Sequence, residues 1–474
     1  SNFAWMFLRT EGDYNFSSGS RGRGNLSSTA NPYFLFPQIY NFRYNIYSSE
    51  WPVANRAIEL YLQKKSENEG WERQINGLSN NEKANLLLEK HTFKELLADV
   101  EQRNLQNNIV GLEASRLFAR SEINMGVDAF RDSLYAMLKR NTFLNIKFEN
   151  MLDTLGEMSR TDLYSYLKEW EQLTPLPFYS IGEPELTKVV NKGGEEFFVL
   201  KVLVSNNSDY DGIIQMNVLQ NGWWYQPMED PRARKKVEIA AHTSKEFVSV
   251  WEEQIRDVEI NTMVSGNLPY MIRQSIGNVK QERNKIVKDT IYTLPESSLE
   301  MPGEVIVDNE DSTLFVLSTP AVVGLLPKWL DKVEDTSFKY SGISWWRAPL
   351  QWTATTNAKY YGKYIRSAYV IKSGDGSQTA TWKIPVPEAG QYELYYHVFK
   401  DDELRWNDRL QGEYHFRVAY DSEMEDAYIN LRKANEGWEQ LGTYYFSADT
   451  VRVVLTDECK LRSVTADAVK IVKR

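Results

Sequence analysis

Cysteine is almost missing from this sequence: Cys459 is the single one in 474 residues. No intrachain disulfide can form, and no cysteine-built zinc site can either. Compartment stays open on that count, because low cysteine use suits a cytosol and many secreted bacterial proteins alike. Histidine is sparse as well, with His91, His242, His397 and His415 far apart in the chain. Long apolar runs are lacking. The longest are Phe3–Leu8 and Ala321–Leu326, the second broken by Gly324, and neither nears the ~20 residues of a membrane helix. No long basic run exists, and 55 basic against 65 acidic residues leave a net charge of −10. A sequence-independent grip on nucleic acid is therefore not expected. The chain starts at Ser1 and shows no basic segment followed by a signal-type apolar stretch. It is expected to be processed, or a piece of something longer.

What is present is ordinary for a folded protein: 42% hydrophobic and 25% charged residues, spread over a length that suggests roughly three domains. The expected fold class is multidomain α + β. Residues 1–30 read as irregular linker, with the Gly/Ser-rich run SSGSRGRGNLSST at Ser17–Thr29. Residues 31–180 read as an α-helical unit. Leu86, Leu87, Phe93, Leu96, Leu97 and Val100 recur at helical spacing, as do Phe130, Leu134, Met137 and Leu138. After Pro184 the period changes to two, with Phe198, Leu200, Val202 and Val204 on one face. This predicts an immunoglobulin-like β-domain over 183–268. The polar stretch 271–302 reads as a connector with helix-like segments. Residues 303–474 read as a C-terminal β-sandwich, with an aromatic-rich insertion near 320–365.

Two resemblances add to this. VIVDNED at Val305–Asp311, YYGKYIRSA at Tyr360–Ala368, TATWKIPVPEAGQYELYYHVF at Thr379–Phe399, GWEQLGTYYFSADTVRVVLTD at Gly437–Asp457 and VTADAVKIV at Val464–Val472 stand in that order. The unit they span resembles the golvesin C-terminal-like domain, also called a xanthan-lyase carbohydrate-binding-like domain. The resemblance implies a β-sandwich of the kind appended to secreted bacterial enzymes. Separately, NMGVDAFRDSLYAMLKRNTFLNIKFENMLDTLGEMSRTDLYSYLKEW at Asn124–Trp170 resembles the end of the catalytic domain of zinc aminopeptidases of the aminopeptidase N and leukotriene-A4-hydrolase family. That likeness extends over about residues 31–268. The family's chemistry needs HExxH, two imidazoles one helical turn apart with a Glu to activate the zinc water. No HExxH occurs here. Sliding the family pattern along the chain places Tyr33 and Pro37 at the two His positions, Phe34 at the general base and Arg56, within NRAIELYL, at the third ligand.

Other catalytic signatures are equally scarce. G-x-S-x-G and Walker patterns are absent. The adjacent acid pairs Glu195–Glu196, Glu252–Glu253 and Asp401–Asp402 read as solvated surface rather than a glycosidase pair across a cleft. The acidic loop Asp308–Ser312 offers oxygen ligands for calcium but lacks EF-hand spacing, so a turn is its default. His397 and His415 are expected on neighbouring strands in structural roles. The aromatics carry most functional interest. Trp345, Trp346, Trp352, Tyr360, Tyr361 and Trp406 fall in loop-like segments of the last unit, and Trp223–Trp224–Tyr225 in a loop of the middle one. They either stack on sugars or grip peptides, or they cover sandwich ends and domain seams. Lys359, Lys363 and Arg366 lie near the first set and suit the acidic groups of a uronate-bearing glycan.

These features point to a non-catalytic, extracytoplasmic binding or scaffolding protein with a glycan or peptide as ligand, no nucleic-acid partner and no cofactor. A polysaccharide lyase or a peptidase-related enzyme is the alternative. Elemental analysis of the purified protein should find no stoichiometric zinc, and no chelator-sensitive release of amino acids from peptides. Either activity or bound zinc would overturn the degenerate-site reading.

Overall fold

The computed structural model describes residues 44–62, 69–190, 193–219, 230–277, 279–283, 287–297, 299, 303–318, 338–343, 348–400, 412–421 and 423–474. Strand dominates it, gathered into sandwich-like sheets, with the α-helices confined to residues 54–168. No helix among the described residues is long and apolar enough to cross a membrane.

The helices are α1 (Ala54–Leu62), α2 (Glu69–Asn76), α3 (Asn80–Leu88), α4 (Phe93–Ala98), α5 (Gln106–Met125), α6 (Val127–Arg140), α7 (Phe148–Ser159) and α8 (Leu163–Lys168). A parallel pair, β1 (Tyr44–Tyr47) and β2 (Leu144–Lys147), ties the start of this unit to its middle. The periodic run from Leu86 to Val100 is two helices rather than one. Ser79 and Glu82 form a reciprocal capping box that starts α3, and Thr92 and Glu95 form another that starts α4. Each box satisfies two orphan backbone donors, so a new helix nucleates at Thr92. Val100 lies beyond the second helix and is exposed. The central helix α5 buries Ile109, Leu112, Leu117 and Phe118 against α1, α6 and α7. Phe130, Leu134 and Leu138 of α6 and Trp170 complete that core.

The middle unit contains β3 (Tyr179–Ile181), β4 (Glu185–Val190), β5 (Glu196–Asn206), β6 (Gly212–Leu219), β7 (Arg234–Ile239), β8 (Thr243–Trp251), β9 (Asp257–Asn261), β10 (Met271–Ser275), β11 (Val279–Arg283) and β12 (Thr290–Pro295). One sheet runs β11-β4-β5-β8-β12 with β3 beside β5, and the other runs β10-β9-β6-β7. Leu200, Val202 and Val204 face Ile214, Met216, Val218, Val258 and Ile260 across the interior. The stretch 271–302 is therefore not a helical connector. Three of its segments are strands that extend these sheets, β10 on β9, β11 parallel to β4 and β12 on β8. Each is the outermost described strand of its sheet, and apart from Val279 β11 is polar throughout. All described side chains of β12 after Thr290 are exposed, Ile291, Tyr292 and Leu294 among them, as an edge strand with no neighbour beyond it allows.

The last unit holds β13 (Glu304–Val307), β14 (Phe315–Leu317), β15 (Thr353–Thr356), β16 (Ser367–Lys372), β17 (Thr379–Pro385), β18 (Gly390–Val398), β19 (Glu413–Tyr420), β20 (Glu423–Asn430), β21 (Gly437–Phe446), β22 (Thr450–Thr456), β23 (Ser463–Ala466) and β24 (Val469–Lys473). A β13-β24-β18-β21 sheet packs on a β14-β17-β22-β19-β20 sheet, with β15-β16-β23 alongside.

Three sets of contacts lock the units together. Helix α5 meets β7 through Arg120, which donates to Glu238 at 2.8 Å, and through a buried Glu122 that accepts from Lys236 and from the Tyr61 hydroxyl. Tyr270, entering β10, donates to Glu69 of α2. At a three-way seam, Leu78 of the helical unit, Leu268 of the middle unit, and Tyr340 and Ala354 of the last form one small core. There Leu268 N donates to Tyr364 O at 3.1 Å, and Arg366 N donates to Leu268 O at 2.6 Å. Thr356 Oγ1 donates to Gly77 O at 2.8 Å. Gly342 lies so close to the α2 terminus that a Cβ would reach 1.9 Å from the Ile75 carbonyl oxygen.

On β18, Tyr392, Leu394, Tyr396 and Val398 are buried, and Glu393, Tyr395 and His397 face outward. Leu394 has no exposure at all. Leu394→Ala should cost roughly 2–5 kcal/mol as a large-to-small core change. Urea unfolding measures it, and a loss below about 1 kcal/mol would contradict this packing.

Candidate functional site

The alternation of β18 decides what its outer face carries. With four apolar positions turned inward, Tyr395 and His397 must point out. The register then brings other strands' side chains beside them. His397 lies opposite Trp438 of β21, and Tyr395 lies opposite Lys470 of β24. A register shift after Leu394 sets the first of these pairings.

The loop before β16 supplies Tyr361. Its ring centroid is 5.0 Å from that of Trp438 and 5.8 Å from that of His397, and His397 and Trp438 meet edge to face at 5.1 Å. Three half-buried rings thus form a triangle on the sheet. Lys470 Nζ sits 4.9 Å over the Trp438 ring and 5.4 Å over Tyr395, and pairs with Glu304 at 2.9 Å.

Behind the triangle lies Asp467, fully buried. It accepts from Tyr361 N through both oxygens at 3.2 Å, and its Oδ2 is 2.9 Å from His397 Nδ1. Burial pushes its carboxyl above the usual carboxylate range, against the pull of His397. Asp308, just after β13, is also shifted upward, first by burial and then by Asp467. Burial also brings the Arg366 guanidinium down to about 10, and its Nη1 donates to Ala358 O at 2.8 Å. Aromatic faces and fixed polar groups together can stack a ring and bond its hydroxyls.

The other sequence-derived candidates fall differently. Trp345, Trp346 and Trp406 lie outside the described residues, as do Trp223–Trp224–Tyr225 and Tyr33, Phe34 and Pro37. Tyr360 is buried with its ring 4.7 Å from Phe399, so its face is not open to a ligand. Trp352 packs on the sandwich core, and its buried Nε1 has no hydrogen-bond partner. The three cations do not form an open basic arc. Lys359 pairs with Glu436 at 3.2 Å, Lys363 lies over the Tyr364 ring, and Arg366 is turned inward. Arg56 pairs with Glu59 at 2.9 Å and donates to Asn107, the role of a structural arginine. His397 and His415 are not on neighbouring strands, because β18 and β19 belong to different sheets. In the acidic loop, Glu310 accepts from Lys339, Tyr340 and Ser367, and Asp311 accepts from Thr313. Protein donors thus engage both oxygens of Glu310 and one each of Asp308 and Asp311. Among the described residues no group of three or more His, Cys, Asp or Glu side chains could hold a metal ion.

Trp438 and Lys470 were not singled out in the sequence. Their signal was the outward phase of QYELYYHVF. Strand order, which the sequence does not display, was needed to find what stands beside it.

Residues 346–473 match the Golvesin C-terminal domain family. The match supports that resemblance, whereas the zinc-aminopeptidase resemblance has no such support. No curated protein matches the chain. Among solved structures it is similar to the GH26-CBM35 beta-(1,4)-mannanase of Podospora anserina, 12% identical over 37% of this chain and 28% of that one, with a TM-score of 0.20. It is also similar to a calcium binding mutant of Bacteroides uniformis beta-glucuronidase 2, 11% identical over 66% of this chain and 32% of that one, with a TM-score of 0.18. The alignments thus reach less than a third of the length of either protein. At TM-scores this low the likenesses imply no shared overall architecture.

A carboxyl whose folded value is raised favours folding when protonated, and that contribution is lost as pH rises above the ordinary value of about 4. Asp308→Asn removes the charge and keeps an oxygen to accept from Asn309 N. The variant should be more stable than the parent at pH 7 in urea unfolding, with the difference shrinking toward pH 4. A parent more stable at neutral pH would contradict the assignment.

Proposed function

We propose that this is a non-catalytic glycan-binding protein acting outside the cytoplasm, with its golvesin-like sandwich as the binding module. The observation that carries the reading is the aromatic triangle of Tyr361, His397 and Trp438, inside the matched segment and backed by Asp467. A stacking surface held in place by a buried carboxyl is preorganised, which lowers the ordering cost of binding. Lys470 on the Trp438 face supplies a cation at the patch, already balanced by Glu304, so hydroxyl-rich neutral sugars suit it as well as acidic ones. The helical unit and the middle sandwich act in this reading as a scaffold that presents the module. The lyase alternative rests on the domain's association with lyases alone.

Glycan-array binding of the whole protein tests the proposal. Trp438→Ala should keep the fold, shown by an unchanged circular dichroism spectrum, and lose about tenfold in affinity for whichever glycan the parent binds, the equivalent of one stacked ring. Undiminished binding would move the site elsewhere. Binding of no glycan at all would overturn the reading.

A further inference from the structure

The opposite sheet carries a second aromatic surface, built differently. Tyr428 on β20 lies directly across from His415 on β19. Their rings stack almost parallel, 4.9 Å between centroids and 9° between planes. The imidazole is clamped from both sides: Nε2 is 2.8 Å from Asp426 Oδ1, and Nδ1 is 3.2 Å from Glu458 Oε2. His415 is mostly covered, with its side chain 15% exposed, whereas those of Asp426 and Glu458 are 59% and 62% exposed. Tyr428 is 58% exposed. β20 is the last strand of its sheet among the described residues. One face of the Tyr428 ring is thus supported by a fixed imidazole, and the other is left to solvent.

We propose that Tyr428 is a stacking platform for a pyranose bearing a free amine, with Asp426 and Glu458 receiving the ammonium. The sugar class in this inference rests on the glycan-binding reading above, while the residues are independent of it. The charge around the ring selects the class. Two exposed carboxylates, Asp426 and Glu458, flank the platform, against one cation on the facing strand, Arg417 across from Asp426. A uronate would meet like charge here. An ammonium meets carboxylates and, when close to the ring, the negative face of Tyr428. A ring already locked by packing loses little freedom on binding.

The probes are glucosamine hexaose, its fully N-acetylated counterpart and galacturonate hexamer, titrated calorimetrically into the whole protein at low salt. Glucosamine hexaose should bind at least tenfold tighter than the other two. Tyr428→Ala should weaken it at least tenfold and Tyr428→Phe should not, with melting temperatures unchanged because the ring is exposed. Asp426→Asn combined with Glu458→Gln should erase the preference for the amine over its acetylated form. Equal binding by parent and Tyr428→Ala overturns this proposal. If the protein binds some glycan through Trp438 but Tyr428→Ala has no effect, only the platform falls. If no sugar binds at all, the glycan reading falls with it. Binding of poly-lysine by the parent, lost in Tyr428→Ala, with no binding of the hexaose, would assign the platform to a basic peptide and overturn the sugar class.

Discussion

The seam at Leu268 fixes how everything else is arranged. There a backbone hydrogen-bond pair joins the middle sandwich to the loop before β16, and the same loop runs on to Tyr361 on one side and Ser367 on the other. Two glycines make the approach possible. Gly77 takes a positive φ that other residues adopt only with strain, and Gly342 passes the α2 terminus with no room for a side chain. Leu78, Leu268, Tyr340 and Ala354 then close a core to which all three units contribute. No unit can leave without exposing apolar surface and breaking buried hydrogen bonds, so their mutual orientation is a property of packing rather than of a linker.

A similar economy holds inside the last sandwich. Asp467 is buried beneath the aromatic triangle, yet its oxygens are engaged by Tyr361 N and His397. A buried carboxyl is tolerated only when such partners replace water. Those partners in turn are fixed by it. The same contact that makes the acid acceptable also holds the Tyr361 and His397 rings in place, so stability and surface geometry have one origin here.

Much of this could be read from the residues, within limits that have physical causes. Period-two alternation gave the inward face of β18 correctly, because one face of that strand is wholly apolar. Helical spacing located α6 and the region of α3 and α4, though it missed the break at Thr92, where capping outweighs periodicity. It failed for residues 271–302, since these strands are short and lie at sheet edges, where burial imposes no regular alternation: β12 leaves Ile291, Tyr292 and Leu294 exposed. Sites fared less well than elements. Tyr361 was within reach as one of several aromatics, but Tyr360 beside it turns inward, a difference that one residue of loop geometry decides. Trp438, Lys470 and Tyr428 gain meaning only through cross-strand neighbours separated by long stretches of chain, and pairing of that kind leaves no local pattern.

The two aromatic surfaces lie on the outer faces of two sheets of one sandwich, sheets of the kind that pack about 10 Å apart, and they face away from each other. A short oligosaccharide cannot bend around to touch both. If each holds a short stretch of sugar, the two stretches are not adjacent along one chain, and the domain becomes a cross-link between separate segments rather than a clamp on one. Avidity for a single strand would then gain nothing from the second surface, while a network of strands would be stiffened by it. Because the helical unit is seated on the same seam, every such cross-link would also carry that unit at a set bearing to the fibres it joins.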